Sequence, residues 1–89
     1  MNMLAAKTSE IEIADTIHSY LSDRFPAYAP FSADTPLLEG GVIDSLGFLE
    51  LMIFLGEGFG IILDDEHFTP DNLGTPADLV AFVLRERRR

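Results

Sequence analysis

Three stretches of the chain repeat apolar residues at helical spacing, and the one run that could pass for a strand, 59–63, has no second run to pair with. That leaves helices packed on helices as the fold class. A chain of 89 residues makes a single domain that buries about 60 to 70% of its unfolded surface. With 47% hydrophobic residues, seven of the side chains being Phe, it has the material for one packed core.

The first helix is expected to open at Ser9, because Ser9 and Glu12 have the S-x-x-E spacing in which each side chain satisfies the other's free backbone N–H. Ile13, Ile17 and Leu21, with Tyr20 beside them, form its apolar stripe, leaving Glu12, Asp15, His18 and Ser22 outward. Pro26 ends it. Residues 26–44 hold three prolines, two adjacent glycines and no sustained period, so they read as a long connection. Loops of that length are uncommon unless they pack or function, and Phe31, Leu37, Leu38, Val42 and Ile43 are placed to plug this one onto the bundle.

The second helix opens at Asp44 or Ser45 and runs to about Phe59. Its expected core face is Phe48, Leu49, Met52, Ile53 and Leu55, with Leu51 and Phe54 falling toward the far side beside Gly47. Gly56, Gly58 and Gly60 either loosen its end or terminate it. A short helical turn is expected within 65–71, interrupted at Pro70. Thr75 then caps a last helix with Pro76 at its first position and Leu79, Val80, Phe82 and Val83 inward. The expected organisation is a flexible N-terminus over 1–8, a domain over 9–84 and a basic tail over 85–89, which makes an all-α bundle of three longer helices, one short helix and a long first loop.

Composition excludes several kinds of chemistry. With no cysteine there is neither a disulfide framework nor a thiolate metal site, and two isolated histidines make no metal cluster. No stretch approaches the roughly 18 apolar residues of a membrane span, and the first eight residues have neither the basic start nor the apolar middle of a signal peptide, so a cytoplasmic location is expected. Arg24 is the sole Lys or Arg between residues 9 and 84, against fourteen Asp and Glu. A body so acidic repels nucleic acid and anionic lipid and steers toward basic protein surfaces. The nucleophile-elbow pattern G-x-S-x-G is missing, His18 and His67 read as ordinary surface histidines, and Asp64-Asp65-Glu66 lacks the spacing of a calcium loop. No self-sufficient active site is present, so the chain is not read as an enzyme.

One serine draws attention by its context. By residue type alone, Asp44 or Ser45 is a helix cap. The stretch Gly41-Val42-Ile43-Asp44-Ser45-Leu46, however, resembles the phosphopantetheine attachment site of acyl carrier proteins, an Asp-Ser-Leu at the start of the second helix preceded by an apolar pair and a glycine. The likeness covers roughly 9–84. Asp34 and Leu37 match the D-x-x-L of that family's first loop, Leu49-Glu50-Leu51 its V-E-L, residues 59–66 its F-x-I-x-I-x-D-E segment, and 75–83 its last helix.

The resemblance implies a four-helix bundle of acyl carrier type in which Ser45 accepts a 4′-phosphopantetheine arm from coenzyme A. A phosphopantetheinyl transferase would attach the arm, an acyl- or aminoacyl-loading ligase would charge it, and a downstream acyl transferase or synthase would take the cargo from a monomeric carrier. Asp44, Leu46, Glu50, Phe54 and Glu57 are then the expected partner contacts, and Phe48, Leu49, Ile53 and Leu63 the expected lining of an acyl cleft. Gly47, Phe54, Gly56 and Gly58 stand where the family often has Asp, Ala or Glu, and Phe48 where it commonly has a small residue. These departures imply a specialised carrier with a more hydrophobic docking face, serving an aminoacyl, polyketide or lipid-modifying pathway rather than general fatty acid synthesis. Two other readings of the residues are an unmodified acidic module that docks a basic partner and a divalent-cation buffer built on Asp64, Asp65 and Glu66.

Self-repulsion in so acidic a body costs stability at low ionic strength. The melting temperature is therefore expected to rise between low and moderate salt, followed by circular dichroism; an unchanged value would mean that the charges are too dispersed to matter.

Overall fold

The computed structural model describes residues 3–87, and among them every regular element is helical. Helix α1 spans Met3–Arg24, α2 Ser45–Phe59, α3 Pro70–Leu73 and α4 Pro76–Glu86, with single 3-10 turns at Pro26–Tyr28 and Asp65–His67. None of these helices is long and apolar enough to cross a membrane.

The stripe of α1 behaves as its spacing predicts. Ile13, Ile17 and Leu21 are buried, and they meet Leu79, Phe82 and Val83 in the same core. Phe82 is the largest fully buried side chain, and truncating such a residue to Ala typically costs about 3 to 5 kcal/mol. Helix α1 packs on α4, and the single turn of α3 is held beneath α4. Asn72 Oδ1 accepts from Arg85 Nη2 at 2.8 Å, and the Arg85 guanidinium lies over the Phe82 ring, 5.7 Å from its centroid. Part of the basic tail is thus built into the bundle, while residues 88 and 89 lie outside the described residues.

The start of α1 departs from expectation. The helix begins at Met3, so the Ser9–Glu12 spacing lies inside it and the segment 3–8 is helical rather than a flexible arm. Leu, Ala and Lys in that segment are good helix formers, and a mid-helix Ser costs too little to force a start there. Residues 1 and 2 lie outside the described residues.

The core face of α2 is also rotated from expectation. Gly47, Phe48, Leu51 and Leu55 are buried, with Leu51 at 0% exposure, whereas Leu49 and Ile53 are 52% and 55% exposed. Two contacts with α1 fix the rotation. Phe54 stacks on Tyr20 with ring centroids 4.0 Å apart, and the Arg24 guanidinium grips the Glu50 carboxylate. Periodicity could not choose this face, because apolar residues surround the helix.

The glycines near the end of α2 play different parts. The helix runs through Gly56 and Gly58, and only Gly60 terminates it, with φ +70° and its N–H donated to the Gly56 carbonyl. A Cβ at Gly58 would meet nothing within 4 Å, so Gly58→Ala is expected to raise stability by about 0.5 to 1 kcal/mol. Gly60→Ala forces a side chain into the left-handed region and is expected to lower stability by about 1 to 2 kcal/mol. Urea unfolding of the two variants checks the opposite signs.

Candidate functional site

The site is assembled from the loop inward. Leu37 is fully buried; its N–H donates to the Gly74 carbonyl at 2.8 Å, which ties the loop to the α3–α4 junction. Its carbonyl accepts from Val42 N at 2.9 Å and Ile43 N at 3.1 Å. Val42 and Ile43 are buried by this closure, and the chain emerges at Asp44. Helix α2 then starts at the surface.

Asp44 and Ser45 divide the work that sequence left open between them. Asp44 is the N-cap, in extended backbone, and its Oδ1 accepts from Gly47 N at 2.8 Å. Its own carbonyl accepts from Phe48 N at 2.8 Å. Ser45 is the first helical residue and is exposed. Its hydroxyl is not needed as a cap.

The packing under this corner is tight but unstrained. Gly47 is buried, and a Cβ there would sit 3.5 Å from Cζ of Phe25 and 3.4 Å from Asp44 Oδ1, so the first turn of α2 lies against the end of α1. No acidic residue lies within the first turn of α2. The positive end of the helix dipole and the unpaired N–H groups of the first turn therefore favour an anion attached at Ser45.

The candidate partner contacts have different surroundings. Leu46, Asp44 and Glu57 are exposed. Glu50 accepts from Arg24 Nη2 at 2.6 Å and also from Nε, a two-pronged pair. These hydrogen bonds hold the Glu50 carboxyl below the usual carboxylate range and push the Arg24 guanidinium further up. Phe54, expected on a docking face, is half-buried and spends one ring face on Tyr20. Burial, with Glu50 nearby, raises the Tyr20 phenol above its ordinary value.

The four residues expected to line an acyl cleft divide between the core and the surface. Phe48 and Leu63 are core residues, and the Phe48 ring lies 4.6 Å from that of Phe68. Leu49 and Ile53 instead join Leu46 in an apolar stripe along the exposed side of α2. The rotation of α2 described above is the reason.

The remaining polar candidates serve local structure. Asp64 Oδ1 accepts from Glu66 N, and His67 Nδ1 accepts from Asp64 N at 3.1 Å, which closes the 3-10 turn at Asp65–His67. Among the described residues no three His, Asp or Glu side chains converge as a metal site would require. His18 lines a groove between α1 and α4 with Ala14, Ala77 and Ala81.

Known proteins place the fold and little more. No protein-family model matches the sequence, and no curated protein matches it. A chain in a crystal structure described as that of a FAD-dependent dehydrogenase superposes with a TM-score of 0.68 at 23% identity, covering 75% of this chain and 97% of that one. That chain is thus shorter than the present one, and at this identity the likeness concerns the helical fold alone.

The division of labour at the helix start has a direct consequence. Asp44→Ala is expected to cost about 1 kcal/mol through loss of the cap, whereas Ser45→Ala leaves the melting temperature within a degree or so of the parent. Thermal unfolding of the two variants side by side checks it.

Proposed function

We propose that the chain is an acyl carrier whose Ser45 bears a 4′-phosphopantetheine arm. The observation that carries the reading is that Asp44 alone caps α2 and leaves an exposed serine hydroxyl at the positive end of the helix. In a stretch that otherwise resembles the family's attachment site, the bland explanation for Ser45 is thereby taken by its neighbour.

In this reading Ser45 Oγ attacks the pantetheine-side phosphate of coenzyme A, the nucleotide portion leaves, and the hydroxyl proton passes to a base on the transferase. Ser45 therefore needs no base within its own chain. The attached arm supplies a terminal thiol, which a cysteine-free chain lacks, and carries acyl or aminoacyl groups as thioesters at high effective concentration before each partner enzyme. Helix α2 holds the phosphodiester by its dipole, the Leu37 closure fixes where the helix begins, and the exposed face of α2 beside Ser45 is where partners would dock. Partners in this reading are a transferase, a loading ligase and a downstream acyl transferase or synthase.

The departures on α2 support a specialised pathway. The exposed stripe of Leu46, Leu49 and Ile53 gives a carrier whose docking face is more apolar than acidic. The alternative, an unmodified acidic module that docks a basic partner, shares the helical bundle and has no use for a modified Ser45, so the two readings part there.

Intact mass after incubation with coenzyme A, magnesium and a broad-specificity phosphopantetheinyl transferase separates them. A gain of one phosphopantetheinyl group, absent in Ser45→Ala, is the expected result. No gain by the folded protein, with a known carrier modified in parallel, would return the chain to the docking module.

A further inference from the structure

The acidic body has one cation, and the structure shows where it is spent. Arg24, at the last turn of α1, reaches across to α2 and pairs with Glu50 through two prongs, while its guanidinium also lies 5.2 Å from the centroid of the Phe25 ring. The fork geometry matches a carboxylate as a lysine ammonium would not. Glu50 follows Leu46 by four residues and Leu49 by one, so it borders the apolar stripe on the side that faces α1. Ile62, 85% exposed in the segment after α2, adds a further apolar side chain to the exterior.

We infer that Arg24 is a specificity-determining residue: by holding Glu50 in an internal pair it withholds that charge from partners, so that α2 is read by an apolar enzyme surface rather than by a cluster of Lys and Arg. The inference rests on the carrier reading. The Arg24–Glu50 pair leaves the border of the stripe locally neutral, whereas a free Glu50 would put a carboxylate beside Leu46 and Leu49. Asp44 at the helix start, which acts on Glu50, and the Tyr20 phenol of α1, on which Glu50 acts, carry no positive charge that could take Arg24's place. With Arg24 the only Lys or Arg in residues 9–84, no neighbouring substitute exists in the body of the sequence.

The test is the steady-state modification of Ser45 by a phosphopantetheinyl transferase with a basic docking surface, at low and moderate salt, for four proteins: the parent, Arg24→Gln, Arg24→Lys, and the double variant Arg24→Gln/Glu50→Gln. Arg24→Gln exposes a carboxylate, so KM is expected to fall several-fold at low salt, with kcat unchanged and the gain lost at moderate salt. The double variant replaces a neutral pair with a neutral pair and is expected to keep KM within about twofold of the parent. Arg24→Lys keeps the positive charge beside Glu50 but loses the fork, so its KM is expected to fall between those of the parent and Arg24→Gln, and it also guards against a Gln variant that fails to fold.

A several-fold rise in KM for the double variant would mean that partners contact Glu50 despite Arg24, and would overturn the inference. So would an Arg24→Gln KM equal to the parent's at low salt. If the parent gains no mass at all, the carrier reading falls and this inference with it, an outcome distinct from the other two.

Discussion

The surface corner of the molecule depends on one buried residue in its longest loop. Leu37 sits in the core, donates its N–H to the carbonyl of Gly74 and takes two N–H groups, from Val42 and Ile43, on its own carbonyl. Buried backbone polar groups must be paired, and this arrangement pairs several at once while burying three apolar side chains. The loop is thereby tied to the junction that starts α4 and made to deliver Asp44 at the surface. Where α2 begins, and so where Ser45 stands, follows from that closure.

From that start, the orientation of α2 is decided by its neighbours. The helix is apolar on nearly every side, so burial by itself would be satisfied by several rotations. The Tyr20–Phe54 stack, the Arg24–Glu50 pair and the close approach of Phe25 to Gly47 all come from the end of α1 and select one. The cost is an exposed stripe of Leu46, Leu49 and Ile53, which a single small domain without partners would have reason to hide. The same contacts that stabilise the bundle therefore set the character of the face beside Ser45.

Electrostatics are arranged on the same economy. Glu50 is neutralised within the chain, Asp44 spends a carboxylate oxygen on the Gly47 N–H, and Asp64 caps its own turn. Several acids that look in the sequence like a uniform field thus have local structural duties. At the start of α2 the exposed Asp44 carboxylate is engaged by the Gly47 N–H, and beside it stands an exposed hydroxyl that no cap uses.

Much of this was legible in the sequence. The stripe of α1, the plugging loop, the start of α2 within one residue, the absence of pairing for 59–63 and the Thr75 cap of α4 all follow from local rules: period, capping chemistry and the reach of proline and glycine. Ser45 was legible as a candidate for the same reason, since its neighbours define a motif along the chain. Three things were not legible. The N-terminal extent of α1 depended on weak propensities competing with a plausible cap; the roll of α2, and with it the fate of Leu49, Leu51, Ile53 and Phe54, depended on contacts with a segment about thirty residues earlier; and the partner of Arg24 could be any of fifteen acids until the chain was folded. Local sequence determines which residues are helical and where they cap, because those energies act within one turn. Only the packed bundle decides which face is buried and which charges meet, because those energies arise between residues that the chain itself does not place side by side.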